Sequence, residues 1–132
     1  MVNLLRIEES LSMAHLRLSG VNVEHLSWMD CFDRYEREHT CFYADPPYWQ
    51  VEGYGVQFEF DQYELLAEKM RQTKAKVMLS INDHPEIRSC YQDFYIQDLK
   101  IRYSVANAHG APKESGELVI TNWDTNESSG LF

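Results

Sequence analysis

An apolar run that stops at two adjacent prolines is the feature that most constrains how this chain can fold. Residues 40–44 are Thr-Cys-Phe-Tyr-Ala, and Asp45, Pro46, Pro47 and Tyr48 follow directly. Proline fixes φ and has no backbone N–H, so it cannot continue a strand inside a sheet. The pattern therefore predicts a short strand over residues 40–45 that ends at a carboxylate.

The rest of the chain alternates between helical and strand periodicity. Five segments follow the prolines: helices at 62–72 and 85–91, and strands at 76–81, 94–106 and 117–122. Asp61, with Glu64 completing a capping box, and Asp83 are the expected helix N-caps. Alternation of this kind is typical of an α/β fold with a partly parallel sheet and helices on both faces. Because the loop at 107–115 contains no helix, we expect the last two strands to form a C-terminal antiparallel hairpin.

The first 38 residues add three predicted elements: an amphipathic helix at 4–18, a strand at 20–24 and a helix at 26–38. We find no internal repeat and no linker-like stretch. The sequence therefore predicts one domain over residues 1–132, with a polar and frayed tail at 124–132.

Charge and composition limit the function classes. The net charge is −9, from 12 basic and 21 acidic residues, which argues against a nucleic-acid partner because phosphate binding needs a positive face. No apolar run approaches the roughly 20 residues of a membrane helix, so no membrane partner is expected. Three cysteines without a CxxC pair, and no signal peptide, predict reduced thiols and a cytoplasmic location. No His or Cys lies at ligand spacing from His84, so no metal site is predicted.

Residues 45–48 carry the chemistry that the sequence suggests. They follow a strand, and ligands of open α/β sheets bind beyond the carboxyl ends of strands. The Asp45 carboxylate and the Pro46 carbonyl are two acceptors, which suit the two hydrogens of an NH2 group, and Tyr48 offers a ring for stacking on a planar base. The alternative is that the prolines merely terminate the strand. The apolar lead-in and the following Trp49 favour a site.

At this point the chain resembles a known family. From about residue 16 to 123 it is similar to the C-terminal, catalytic part of Dam-like DNA adenine methyltransferases, which move a methyl group from S-adenosylmethionine to the exocyclic amine of adenine. The matching segments follow the family's order and spacing: 17–24, 40–49, 61–70, 77–83, 102–105 and 117–122. The resemblance implies a partial Rossmann-like methyltransferase sheet, DNA as a partner that this chain alone binds weakly, and S-adenosylmethionine as cofactor.

The resemblance also implies roles for individual residues. Asp45, Pro46, Pro47 and Tyr48 would form the catalytic segment around a flipped-out adenine. The cofactor would contact Glu24, His25, Leu26 and Asp45. The substrate would contact Tyr48, Trp49 and Tyr54, with residues 53–55 in a mobile loop over the target base. Independently of the resemblance, Arg102, Asn107 and Lys113 frame the last loop and are candidates for contact with the phosphate backbone of the substrate; the alternative is that they belong to a solvated loop.

Several features of the family have no counterpart in this chain. Family members carry an early Phe-x-Gly-x-Gly turn for the methionine part of the cofactor and a target-recognition domain, whereas the first glycine here is Gly20. We therefore expect a truncated methyltransferase that is weak or inactive alone. The alternative is a non-catalytic, phage-derived remnant or a dimeric interaction module. Under this alternative, the apolar strand at 41–45 is an exposed sheet edge that pairs with a second copy or with a missing N-terminal half. A third alternative is methylation of cytosine or of adenine in RNA.

Overall fold

The computed structural model describes residues 4–51, 53, 55, 58–101 and 115–126. The chain divides into two compact units, Met1–Arg34 and Tyr35–Phe132. Among the described helices, none combines the length and the apolar character needed to cross a membrane.

The N-terminal unit is helical. Helix α1 spans Leu4–Leu18 and agrees with its predicted bounds. Helix α2 spans Trp28–Tyr35, which is shorter than the predicted 26–38. Ser27 sets its start as the N-cap, because its hydroxyl accepts from the Asp30 N–H at 3.1 Å. The same hydroxyl donates to the Asp30 carboxylate at 2.7 Å.

The predicted strand at 20–24 is wrong. The Val21 N–H donates to the Leu18 carbonyl in a turn, and Val23 is 93% exposed. Alternation of apolar and polar residues indicates a strand only where a neighbouring strand supplies hydrogen bonds, and no described strand pairs with this segment.

The C-terminal unit is a mixed α/β layer, and this coarse fold confirms the prediction. In chain order it contains β1 (Cys41–Ala44), α3 (Phe60–Gln72), β2 (Lys76–Asn82), α4 (Pro85–Cys90), β3 (Tyr95–Ile101) and β4 (Ser115–Thr121). The sheet order is β1-β2-β4-β3, with β1 parallel to β2 and the other neighbours antiparallel. The expected antiparallel pairing of the last two strands is therefore confirmed. The predicted loop at 107–115 lies almost entirely outside the described residues.

The core of this unit is built on one set of alternating strand positions. Val77, Leu79 and Ile81 of β2 are fully buried. Leu79 lies opposite Ile120 and Ile81 opposite Leu118 in β4, and both partners are fully buried as well. Helices contribute further buried side chains: Tyr63, Leu66, Ala67 and Met70 of α3, and Ile87 of α4.

Both predicted helix caps in this unit are wrong. Helix α3 begins at Phe60, so Asp61 lies in its first turn and Glu59 occupies the N-cap without a side-chain bond. Helix α4 is capped by His84, whose Nδ1 accepts from the Glu86 N–H at 3.3 Å. Asp83 instead binds the Arg88 guanidinium at 2.6 and 2.9 Å, since a cation outcompetes a neutral N–H for a carboxylate.

Two side chains, Asn122 and Gln97, form hydrogen bonds at the end of the sheet where β2 begins and β4 ends. The Asn122 side chain accepts from the Val77 N–H at 2.8 Å and donates to the Ala75 carbonyl at 2.9 Å. Gln97 of β3 donates to the Thr125 hydroxyl at 2.7 Å, which fastens the start of the C-terminal segment. Residues 127–132 lie outside the described part of the chain.

Candidate functional site

Residues 45–48 lie at the carboxyl end of β1, as the sequence predicts. Because β1 and β2 are parallel and β4 runs antiparallel to β2, the ends of β1 and β2 lie beside the start of β4. Asp45 is exposed, whereas Pro46, Pro47 and Tyr48 are half-buried. The segment is thus a partly embedded turn at the edge that an open α/β sheet uses for ligands.

Glu117 fixes the tyrosine of this segment. The Tyr48 hydroxyl donates to Glu117 Oε1 at 2.6 Å, and the Ser80 hydroxyl donates to the same oxygen at 2.6 Å. A carboxylate is an acceptor only, so both hydroxyl hydrogens must point at Glu117. The Tyr48 ring is therefore held at its hydroxyl end.

The next residue is held through its backbone. The Asn82 side chain accepts from the Trp49 N–H at 2.8 Å and donates to the Trp49 carbonyl at 3.0 Å. The Trp49 indole N–H donates to Glu86 at 2.8 Å, and the Gln50 side chain reaches the same carboxylate oxygen at 3.3 Å. The turn is thereby tied to the end of β2 and to the first turn of α4.

Tyr63 of α3 decides which proline carbonyl is open. Its hydroxyl donates to the Pro47 carbonyl at 2.6 Å, so that acceptor is engaged. Within the described part of the chain, neither the Asp45 carboxylate nor the Pro46 carbonyl receives a hydrogen bond. These two open acceptors are the pair that the sequence assigns to an amine.

Aromatic side chains pack behind the turn. Tyr63 lies at the centre, with ring centroids 5.8 Å from Trp49, 4.9 Å from Phe58 and 6.0 Å from Phe60. Trp49 and Phe60 are themselves 5.1 Å apart in a tilted arrangement. Edge-on and tilted pairs at these distances are favourable. Trp49 is thus a packing and anchoring residue in this structure, whereas the resemblance assigns it to the substrate.

The chain reverses just after Trp49 through left-handed backbone. Gln50 has φ 57°, and Gly53 and Gly55 have φ 108° and 66°. A side chain is strained in this region, so glycine suits the two later positions. Tyr54 between them, and Arg102, Asn107 and Lys113, lie outside the described residues, and their predicted substrate contacts stay predictions.

The three residues assigned to the cofactor belong to the N-terminal unit. Glu24 is paired with Arg34 at 2.9 Å, His25 is exposed, and Leu26 is half-buried. Their proximity to Asp45 stays a prediction. No group of three or more His, Cys, Asp or Glu in the described ranges could hold a metal ion.

Sequence reasoning missed Glu117 and Asn82 as site residues. Both are polar side chains in strands rich in buried apolar residues, and they lie directly opposite each other in the β2–β4 register. Their polarity inside otherwise apolar strands was an available signal. The register that brings them to Tyr48 and Trp49 was not, because it joins segments more than thirty residues apart in sequence.

Comparison with known proteins adds no family assignment. The chain matches no protein-family model and no curated protein sequence.

Proposed function

We propose that this chain carries the target-amine part of an S-adenosylmethionine-dependent DNA adenine methyltransferase, on a sheet that corresponds to part of a Rossmann-like fold. The observation that carries the proposal is the pair of open acceptors, Asp45 and the Pro46 carbonyl, next to a Tyr48 ring fixed at the carboxyl end of a parallel strand. The resemblance over residues 16–123 supports the same reaction class.

The chemistry follows from the acceptors. An NH2 group on adenine is conjugated with the ring, which lowers its nucleophilicity. Two acceptors that bind both amine hydrogens draw the nitrogen toward a tetrahedral state, in which its lone pair can attack an electrophile. Stacking on Tyr48 would hold the base plane, and single-strand binders gain roughly 1–3 kcal/mol per base from such a contact.

The part of the site that would bind the methyl donor is less complete in this chain. S-adenosylmethionine would supply an electrophilic methyl group. Of the residues that the resemblance assigns to it, Glu24 is engaged by Arg34 at 2.9 Å. The proposal therefore concerns the amine-binding part alone.

The test is discrimination between adenine and purine, which lacks the amine. Single-stranded oligonucleotides with one central adenine or one purine would be titrated at moderate salt, which screens the repulsion between their phosphates and a chain of charge −9. We expect tighter binding of the adenine strand by about tenfold or more, the scale of hydrogen bonds to a charged group. Equal affinity for the two strands would overturn the proposal.

Variants locate the discrimination. Asp45→Ala should abolish the preference for adenine, and Tyr48→Ala should weaken the binding of both oligonucleotides. The matched control is Glu68→Gln, an exposed carboxylate of α3 whose recorded partner is Gln72, and it should leave both affinities unchanged. The same comparison with cytosine and with RNA strands tests the alternative amine substrates.

A second candidate, a dimeric interaction module, rests on β1. Within the described chain β1 is an edge strand with β2 as its one neighbour, and Tyr43 is 65% exposed. The Lys76 N–H donates to the Thr40 carbonyl, so the alternation of a parallel ladder turns the Phe42 and Ala44 N–H groups toward β2. The Tyr43 N–H then lies on the outer edge, open to a second strand.

Sedimentation equilibrium over a concentration series tests this candidate. If two copies pair through β1, Tyr43→Pro should shift the equilibrium to monomer, because proline removes the outer donor and leaves the inner ladder intact. Tyr43→Ala, which keeps the N–H, is the matched control. A wild-type monomer at all concentrations would rule the candidate out.

A further inference from the structure

Glu117 links two parts of the candidate site that no local sequence pattern joins. It lies in β4, 69 positions from Tyr48, and its Oε1 accepts from Tyr48 at 2.6 Å. The same oxygen accepts from Ser80 of β2 at 2.6 Å. Ser80 is 5% exposed, so its hydroxyl needs a protein partner, and Glu117 supplies it.

This second bond fixes the carboxylate itself. A glutamate side chain has several rotatable bonds and in solvent samples many rotamers. Here Ser80 holds one oxygen from the neighbouring strand, so the acceptor presented to Tyr48 has a defined position. The Tyr48 ring is consequently restrained at its far end as well as at its Cα.

The backbone side of the same turn is fixed by the residue opposite Glu117. Asn82 and Glu117 are register partners between β2 and β4. Asn82 holds the backbone of Trp49 at 2.8 and 3.0 Å, while Glu117 holds the side chain of Tyr48. One cross-strand pair therefore sets two consecutive residues of the turn.

We propose that Glu117 is a positioning residue that acts through the Tyr48 hydroxyl and orients the aromatic ring for stacking on the target base. This rests on the proposed function, since the base is the ligand that the ring would contact. Glu117 itself makes no contact with the substrate in this proposal. Its carboxylate consumes the Tyr48 hydroxyl hydrogen, so Tyr48 recognises its ligand through its ring face.

A double-mutant cycle tests the proposal. Glu117→Ala and Tyr48→Phe should each weaken binding of the adenine oligonucleotide by about tenfold, and the double variant should bind no more weakly than either single variant. Glu117→Gln keeps an acceptor oxygen and should retain most of the affinity. Fully additive losses would overturn the proposal, because Glu117 would then act independently of the Tyr48 hydroxyl.

A second measurement needs no oligonucleotide. In spectra of the free protein with 13C-labelled tyrosine, the Tyr48 ring signals, assigned by their loss in Tyr48→Ala, should shift toward the averaged, solvent-like positions in Glu117→Ala and stay near wild type in Glu117→Gln. Unchanged Tyr48 signals in Glu117→Ala would overturn the proposal even if binding were lost.

The two measurements separate failure of this inference from failure of the proposed function. A wild-type protein that does not distinguish adenine from purine contradicts the proposed function, whatever the tyrosine spectra show. A protein that distinguishes them, but whose Tyr48 signals ignore Glu117, contradicts the positioning role alone. If Glu117→Ala does not fold, Ser80→Ala, which frees the carboxylate on one side, should give a smaller shift of the same Tyr48 signals.

Discussion

Asn82 contacts Trp49 as a neighbouring strand would, with one side-chain amide that accepts from the Trp49 N–H at 2.8 Å and donates to its carbonyl at 3.0 Å. The two prolines end the β1 ladder at Ala44. The amide therefore replaces the backbone hydrogen bonds that the turn loses, and it secures the end of the turn without further strand pairing.

Mutation of Asn82 tests whether its side-chain amide takes the place of the missing backbone hydrogen bonds. Asn82→Ala removes both bonds and should lower the free energy of unfolding by about 1–3 kcal/mol, because the Trp49 backbone groups are left part-buried and unpaired. Asn82→Asp places a carboxylate against the Trp49 carbonyl and opposite Glu117, so it should also destabilise the fold at neutral pH. Urea denaturation measures both, and faster hydrogen exchange of the Trp49 amide should accompany Asn82→Ala. An exchange rate equal to wild type would contradict the assignment.

The close approach of Gly116 to Asp83 predicts a steric cost. A Cβ added at Gly116 would lie 3.0 Å from the Asp83 Cβ, in a pair of strand ends joined by the Asp83 N–H to the Gly116 carbonyl at 2.9 Å. Gly116→Ala should therefore destabilise the protein by about 1–3 kcal/mol. Gly20→Ala is the control, since an added Cβ there meets nothing within 4 Å. Equal thermal midpoints for the two variants would contradict the predicted clash.

Two aspartates make the free energy of unfolding depend on pH in the acidic range. The Arg88 guanidinium lowers the pKa of Asp83, and the Arg71 guanidinium lowers the pKa of Asp93, each below the ordinary value of 3.8. A carboxyl whose pKa is lower in the folded state stabilises the fold above pH 3.8, and this contribution disappears as pH falls through the folded-state pKa.

Acid titration of unfolding therefore gives a defined expectation. The urea midpoint should decline below about pH 4, and the slope of that decline should be shallower in Asp93→Asn, which cannot titrate. Both ion pairs are substantially exposed, so 1 M salt should reduce the effect. A decline of the same slope in Asp93→Asn and wild type would contradict a role for this pair.

Tyr91 gives the opposite dependence at alkaline pH. Its side chain is fully buried, its hydroxyl donates to the Tyr63 carbonyl at 2.9 Å, and burial raises the pKa of the phenol above its ordinary value of 10.0. The folded state therefore resists ionisation, and its stability should fall as pH rises above about 10. In a spectrophotometric titration, Tyr91→Phe should reduce by one tyrosine the phenolate signal that appears only on unfolding. A reversible, early titration of Tyr91 in the folded protein would contradict this.

Truncation of a core side chain should lower the free energy of unfolding more than the changes described above. Leu79 is fully buried in β2 and lies opposite Ile120. Leu79→Ala should cost about 2–5 kcal/mol, which is a large part of the stability of a small domain. Leu65→Ala is the control, because Leu65 on α3 is 38% exposed. Chemical denaturation should show a much smaller loss for Leu65→Ala, and similar losses would contradict the assigned core.

Local patterns in the sequence were sufficient for most of the C-terminal unit. The two prolines set the end of β1, and periodicity placed α3, β2, α4 and β4 to within two residues. These features depend on neighbours in sequence, so they can be recognised there. The strand predicted at 20–24 failed for the converse reason, since a strand depends on a partner that local alternation does not reveal.

The candidate site divides in the same way. Asp45 and Tyr48 were recognisable because the residues that define the turn are contiguous. The cap predicted at Asp83 was wrong because Arg88, a helical turn away, binds the carboxylate more strongly than the helix N-terminus does. Glu117 and Asn82 were missed because their contacts depend on the register of β2 and β4, which is a property of the assembled sheet.

The separation of 69 positions between Tyr48 and Glu117 also bears on the order of folding. Long-range contacts form late, because the entropy of closing the intervening chain is lost before the contact is gained. A chain emerging from the ribosome can make β1, α3 and β2 before β4 exists, but it cannot fix the Tyr48 ring until residue 117 has joined the sheet. The candidate site is therefore complete only when the whole sheet has folded. In a nascent chain that has not yet reached β4, the turn would form without an ordered Tyr48 ring.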